Sequence, residues 1–130
     1  MGSLTRLSYL DMSSNKLRGP FPSSIGALAG LKFLSVSTNS LTGTIPSEIG
    51  LLSALTSVAL DTNLFNGTIP QSLSRCTRLT SLSLGPNSLQ GTVPPELGLL
   101  TALTSLNLRT NRLTGALPSA VVSLLSPCTW

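Results

Sequence analysis

The chain of 130 residues has no histidine and only four acidic residues. Without histidine, a Ser-His-Asp triad, a Cys-His pair and a histidine zinc site are all excluded. The two cysteines are too few for a structural zinc site. Two carboxylates could still serve a glycosidase, but the spacing of the acids does not favour one. The composition therefore predicts that the protein is not an enzyme and that it uses neither a metal ion nor a cofactor.

Charge and long apolar runs are also scarce. Charged residues make up 9% of the chain, against about 25% in ordinary globular proteins. The basic residues behind the net charge of +4 are scattered, whereas a nucleic-acid interface needs a basic stripe with stacking aromatics. No apolar run approaches the roughly 20 residues of a spanning helix, and the first residues lack a signal-peptide core. We expect no nucleic-acid partner and no membrane span within this chain.

The chain does contain a repeat of 24 residues, at which asparagine, glycine and proline each recur. Copies start at positions 7, 31, 55, 79 and 103. Residues 1–6 are interpreted as the end of a partial preceding copy and 127–130 as a tail outside the repeat, so we predict a single array over 1–130. The repeated asparagines are Asn15, Asn39, Asn63, Asn87 and Asn111.

Each repeated position has a physical reason, shown by the copy that begins at Leu31. The alternation around Leu34 and Val36 is typical of a strand with one buried face, which would pair with its equivalent in the next copy. Asparagine ends the strand, because its side chain can bond backbone groups that lack ladder partners. The five asparagines should form a buried ladder. Residues 47–52 should return the chain as a short helical turn.

The segments LTGTIP (41–46), FNGTIP (65–70) and LQGTVP (89–94) resemble the plant-specific subtype of leucine-rich repeat. The resemblance implies an α/β solenoid of about five repeats, right-handed by the usual crossover rule. It also implies a concave parallel sheet, a second, shorter sheet beside it, and short helical or 3₁₀ turns on the convex side. Family members are mostly ectodomains of plant receptor-like kinases and receptor-like proteins. Others, the polygalacturonase-inhibiting proteins, are secreted inhibitors of pectin-degrading enzymes.

The two ends and the cysteines add little to the functional hypothesis. Neither end shows the cysteine-paired cap that is usual in the family, so we expect an excised or truncated piece of a longer array. Cys76 occupies a leucine position and should be a small buried hydrophobe. Cys128 lies about two coils further on, and a disulfide between the two would require the tail to fold back.

Ligand contacts should lie at the variable positions of the concave face, because the repeated positions are occupied by scaffold residues. Tyr9 and Phe33 should be neighbours on adjacent strands, with Lys32, Lys16 and Asp11 close by. Outward aromatic side chains are favoured binding anchors. The alternative is that the two rings merely pair across the strands. By contrast, Phe21 and Phe65 occupy core positions and should pack inside.

A second candidate cluster joins Asp61, Arg109 and Arg112, in which Arg109 could bind a carboxylate. The alternative is that these are solvated charges on a solenoid face. Asn66 opens the only N-x-[ST] acceptor of the chain and is a candidate for glycosylation at an exposed position.

The function we predict is non-catalytic recognition of a protein or peptide by part of a plant leucine-rich repeat receptor or related protein. The main partner would be a protein or peptide ligand, and a co-receptor or a cell-wall hydrolase is a candidate for a further one. The location would be extracellular or at the cell surface. One alternative is inhibition of a secreted cell-wall hydrolase. Another is ice binding, since rows of threonine recur at positions 56, 80 and 104 and at positions 44, 68 and 92. Some plant leucine-rich repeat proteins bind ice, although threonine is also simply a good strand residue.

Overall fold

The computed structural model of the protein describes residues 6–125. Most of the predicted partial copy at 1–6, the tail at 127–130 and any pairing of Cys128 lie outside this range. The described part is a stack of five coils, each coil being one copy of the repeat. Each coil contributes a strand to a main parallel sheet, an extended segment beside it and a helical turn on the opposite side.

The main sheet has five parallel strands, one from each coil. Each strand is only three residues long, and its middle residue is the side chain that points inward. Equivalent positions of neighbouring coils pair directly, so that rows of like positions cross the sheet. The strands are β1 (Tyr9–Asp11), β3 (Phe33–Ser35), β5 (Ser57–Ala59), β6 (Ser81–Ser83) and β8 (Ser105–Asn107), in that spatial order.

A second sheet follows the ladder asparagines, as the family resemblance implies. It is shorter and is interrupted: two parallel pairs flank a single bridge between Thr44 and Asn66. The pairs are formed by β2 (Arg18–Pro20) with β4 (Ser40–Thr42) and by β7 (Gln90–Gly91) with β9 (Arg112–Leu113).

The predicted helical turns are 3₁₀ turns in the first four coils, and the fifth coil ends instead in an α-helix. A proline precedes each 3₁₀ turn in extended conformation and so fixes the point at which the chain bends. The turns span Ser23–Ala27, Ser47–Leu51, Gln71–Arg75 and Pro95–Leu99, and α1 spans Ser119–Leu125. Within residues 6–125, no helix has the length and apolar character needed to cross a membrane.

One apolar core runs along the stack between the main sheet and the turns. It is built from the repeated leucine, isoleucine and valine positions, most of which are fully buried. Phe21 and Phe65 lie in it, as predicted, and meet edge to face with ring centroids 6.4 Å apart. Cys76 is also buried, and desolvation raises the pKa of its thiol to about 11. At neutral pH it is therefore a protonated, apolar-like side chain.

The asparagine ladder exists, but the prediction that all of it is buried is only partly right. Asn63 in the third coil is buried, Asn39, Asn87 and Asn111 are half-buried, and Asn15 is exposed. The reason is stacking: the side-chain amide bonds backbone groups of its own coil and of the coil before it, and the first coil has no complete coil before it within residues 6–125. For Asn63, Nδ2 donates to Val36 O of the preceding coil at 2.9 Å. Asn15 bonds only within its own coil, to Met12 O and Ser13 O.

Candidate ligand-binding face

The outward face of the main sheet is divided into rows by the strand register. The first row starts with Tyr9 and the second with Asp11. Because the middle residue of each strand points inward, both rows lie on the outward side of the sheet, where Ser35 is nevertheless buried. The first row is Tyr9, Phe33, Ser57, Ser81 and Ser105, and the second is Asp11, Ser35, Ala59, Ser83 and Asn107.

Tyr9 and Phe33 stack on one another at the start of the first row. Their ring centroids are 4.4 Å apart and the ring planes differ by 7°. This is the neighbour relation predicted from the sequence, and such a pair contributes about 0.5–1.5 kcal/mol beyond its area burial. The stack leaves Tyr9 60% exposed, whereas Phe33 is half-buried. Together they form an aromatic patch at one end of the first row.

Beside this aromatic patch, the first row continues as small hydroxyl side chains. Ser57 and Ser81 are half-buried and Ser105 is exposed. Lys32, also predicted as a contact, is exposed and immediately precedes Phe33, where its backbone carbonyl accepts a bond from Thr56 Oγ1 at 3.1 Å. The row thus combines one apolar anchor, one adjacent cation and a shallow uncharged floor, which suits an extended ligand with a single large side chain.

The second row differs, because its polar side chains bond the protein itself. Asp11 accepts hydrogen bonds from the backbone N–H and the hydroxyl of Ser13, at 2.9 and 2.6 Å. These two bonds favour the carboxylate and lower the pKa of Asp11. At the other end of the second row, Asn107 closes a similar turn, because its Oδ1 accepts a hydrogen bond from Arg109 N at 3.1 Å. Asp11, predicted as a ligand contact, therefore also closes a turn at the end of its strand.

Asp61 is tied to a neighbouring coil rather than to arginine. Its Oδ1 accepts a 2.8 Å hydrogen bond from Ser37 Oγ, and that hydroxyl in turn accepts one from Ser35 Oγ at 3.3 Å. Arg109 is exposed and lies beyond β8, with β6 between it and the coil of Asp61. Two strand spacings amount to about 9.6 Å. The two charges are therefore on one edge of the sheet but are not partners across adjacent strands.

The predicted placement of Arg112 on the concave side requires correction. Arg112 begins β9, a strand of the second sheet, where it pairs with Gln90. Between Arg109 and Arg112 the chain turns through Thr110, which has a positive φ of 57°, and through the ladder residue Asn111. The turn moves Arg112 to a different sheet, so the grouping of Asp61, Arg109 and Arg112 into one cluster is not what the fold produces.

The two threonine rows also prove to be different. Thr56, Thr80 and Thr104 donate their hydroxyls to a backbone carbonyl of the preceding coil, at 2.9 to 3.2 Å. This row is therefore part of the scaffold. The other row lies along the second sheet and is exposed; its members are Thr44, Thr68 and Thr92.

Asn66 lies in the same sheet and is exposed, as predicted for an acceptor of a glycan. Its backbone N–H donates to Gly43 O at 2.9 Å. Elsewhere in residues 6–125, no group of three or more histidine, cysteine or acidic side chains is arranged to hold a metal ion.

Comparison with known proteins identifies the family. The leucine-rich repeat family model matches residues 6–28, 30–52 and 102–124, which together exceed half of the chain. The chain belongs to the leucine-rich repeat family. Among curated protein sequences, none matches it.

Solved structures of plant leucine-rich repeat proteins superpose closely on this chain. The plant peptide hormone receptor RGFR1, solved in complex with RGF2, matches with a TM-score of 0.92 and 36% identity, over 95% of this chain and 20% of the receptor chain. The Arabidopsis receptor kinase HAESA, solved with the peptide hormone IDA and the co-receptor SERK1, matches with a TM-score of 0.86 and 40% identity, over 90% and 20%.

A third similar structure is that of a protein described by ice binding rather than as a receptor. A plant ice-binding protein matches with a TM-score of 0.87 and 35% identity, over 94% of this chain and 40% of that chain. The chain thus spans about a fifth of the two receptor structures and less than half of the ice-binding protein. All three likenesses bear out the leucine-rich repeat solenoid predicted from the repeated positions.

Proposed function

We propose that this chain is a non-catalytic recognition segment of a plant leucine-rich repeat receptor or related protein, acting outside the cell or at its surface. It binds a peptide or protein on the outward face of the main sheet. The observation that carries the proposal is the exposed stack of Tyr9 and Phe33 beside a row of serines. Scaffold packing does not require aromatic side chains on that face, since the equivalent positions in the other coils are serine.

Two further features support a peptide as the ligand. The serine floor allows a main chain to approach closely, and its hydroxyls can donate to or accept from peptide groups. Receptors among the similar structures were solved with peptide hormones and, in one case, with a co-receptor. We therefore infer a peptide ligand, with a co-receptor as a further partner.

Selection from a displayed library of random peptides tests this proposal. The chain should enrich a family of binders, and the double variant Tyr9→Ala, Phe33→Ala should enrich none of them while unfolding at nearly the same urea concentration. A matched double variant on other exposed apolar residues, Leu64→Ala with Leu99→Ala, should keep the binders. If the aromatic variant enriches the same peptides as the native chain, the assignment of this face is wrong.

Ice binding is a second candidate, and two observations favour it. One is the likeness to a plant ice-binding protein. The other is the exposed row of Thr44, Thr68 and Thr92, which repeats along the second sheet at strand spacing, about 4.8 Å. Thermal hysteresis of the native chain tests it. Thr68→Lys should abolish the effect, whereas Thr80→Lys, in the row whose hydroxyls are internally bonded, should leave it; no hysteresis in the native chain removes this candidate.

A further inference from the structure

Asn66 is chemically distinct from the other six asparagines of the chain. It alone is followed by glycine. The amide nitrogen of a following glycine carries the least steric shielding, because no side chain stands beside it. The Asn66–Gly67 pair is therefore the one place in the chain where a backbone nitrogen can most readily reach an asparagine side-chain carbonyl carbon.

The fold favours glycine at position 67. Gly67 has a φ of +72°, a conformation that side chains disfavour. A Cβ built there would lie 2.8 Å from Thr44 Cγ2 of the preceding coil. Any asparagine at the preceding position is thus followed by glycine, and only the third coil has one there. The five coils carry Arg18, Thr42, Asn66, Gln90 and Thr114 at that position.

The surroundings leave the reacting groups accessible. Asn66 is exposed, and its coil is held by its own N–H, which donates to Gly43 O, and by Gly67 O, which accepts from Gln90 N at 2.8 Å. Neither bond uses the N–H of Gly67. By contrast, the side chain of the ladder residue Asn63 is not accessible, because it is buried and its Nδ2 donates to three carbonyls.

We propose that in the chain without a glycan, Asn66 is a site of spontaneous conversion to aspartate and isoaspartate. The backbone nitrogen of Gly67 forms a bond to Cγ of Asn66. The bond from Cγ to Nδ2 breaks, and Nδ2 leaves as ammonia with the proton that the Gly67 nitrogen gives up. Water then adds to the resulting cyclic imide and opens one or the other of its two ring C–N bonds, which yields aspartate or isoaspartate. No oxidant or reductant is needed.

The conversion changes the second sheet in two ways. Aspartate places a negative charge beside Thr44 and Gln90, two uncharged residues of the neighbouring coils. Isoaspartate inserts a methylene into the main chain between the two coil-to-coil hydrogen bonds. A glycan on Nδ2 blocks the route, because that nitrogen is the leaving group. Glycosylation and conversion are therefore mutually exclusive reactions at Nδ2 of Asn66.

Peptide mapping by mass spectrometry tests the proposal on the full chain, expressed in bacteria and incubated in neutral buffer. We expect the mass gain that marks replacement of NH by O at Asn66 and at no other asparagine. Thr68→Ala, which removes the glycan acceptor but not the asparagine–glycine pair, should convert at the native rate. Asn66→Gln reproduces the Gln90–Gly91 pair of the next coil and should remain unchanged.

The same chain unfolded in urea supplies the reference rate at Asn66. Conversion in the folded chain on the time scale of the unfolded chain supports the proposal. The proposal is overturned if the unfolded chain converts at Asn66 while the folded chain does not, or if exposed Asn15 converts as fast as Asn66.

Discussion

Two rows cross this solenoid at the same step of one residue per coil, and they differ in what their side chains bond. The asparagine ladder has each of its side chains bonded to backbone; Asn63, for example, makes three donor bonds and accepts one from Leu41 N, and the three half-buried members do the equivalent. The first row of the main sheet, from Tyr9 to Ser105, makes no side-chain hydrogen bond within residues 6–125, while the neighbouring second row does.

This difference separates residues that hold the coils together from residues that are free for a partner. A buried polar group must be satisfied by the protein, because water cannot reach it. An exposed group that the protein leaves unbonded can be satisfied by a ligand at little cost to the fold. Substitutions in the interior should therefore change stability, whereas substitutions in the first row should change binding.

The largest effect should come from comparing two phenylalanines. Phe65 is fully buried and meets Phe21, so Phe65→Ala should lower the free energy of unfolding by about 3–5 kcal/mol. Phe33→Ala, which removes a half-buried ring from a stack on the surface, should cost about 1 kcal/mol. Urea unfolding measures both. Equal losses would mean that the aromatic pair on the sheet is part of the core.

Within the ladder, the cost should follow burial. Asn63→Ala leaves Leu41 N without its side-chain partner in the interior and removes one of the two amide donors to Val36 O, so we expect a loss of about 2–3 kcal/mol. Asn15→Ala exposes its former partners to water and should cost under about 1 kcal/mol. A comparable loss for the two variants would show that the ladder acts through turn conformation alone and not through bonds between coils.

Two glycines allow a further comparison, because both have a positive φ but only Gly67 has a side chain of the preceding coil in close contact. Gly67→Ala should cost about 1–2 kcal/mol for its positive φ, and more because a Cβ would meet the methyl of Thr44. Gly19 has a φ of +82° and nothing within 4 Å, so Gly19→Ala should show the conformational cost alone. Adding Thr44→Ser to Gly67→Ala should bring the two values together; if it does not, the contact is not the cause.

The last effect should appear only at alkaline pH and comes from the buried thiol. Burial raises the pKa of Cys76 from 9.0 to about 11, so the folded chain retains a proton that the unfolded chain has lost. The thiol's contribution is complete below about pH 9 and is lost as pH rises towards about 11. The unfolding free energy of the native chain should thus fall more steeply over this window than that of Cys76→Ala. Parallel pH curves would contradict the assignment.

The periodic part of this structure could be predicted from sequence, because each repeated position serves the same contact in every coil. The strands, the turns, the two buried phenylalanines and the stacked pair of Tyr9 and Phe33 all follow from position within the repeat. Burial along the ladder does not, since Asn15 and Asn63 have the same place in the repeat but different neighbours in the stack.

Contacts that occur once could not be predicted in this way. The bond from Ser37 to Asp61 depends on two variable positions that are compatible by residue type and by geometry. The displacement of Arg112 to the second sheet has a different reason, because the left-handed residue before the ladder asparagine recurs as Ser14, Thr38, Thr62 and Thr110. These residue types do not mark the conformation in the sequence as glycine would. The two threonine rows cannot be distinguished in the sequence, and only the hydrogen bonds of Thr80 and its equivalents in the structure separate them.

The most direct test of the central claim is a calorimetric titration with one peptide selected on the native chain. Tyr9 is 60% exposed and Leu99, on a turn at the opposite side, is 62% exposed, so that the two alanine variants are matched in exposure. We predict that Tyr9→Ala weakens binding by roughly thirtyfold, or about 2 kcal/mol, as an interface hot spot does. Leu99→Ala should leave the affinity unchanged. Equal affinities for the native chain and Tyr9→Ala, or a loss confined to Leu99→Ala, would contradict the account.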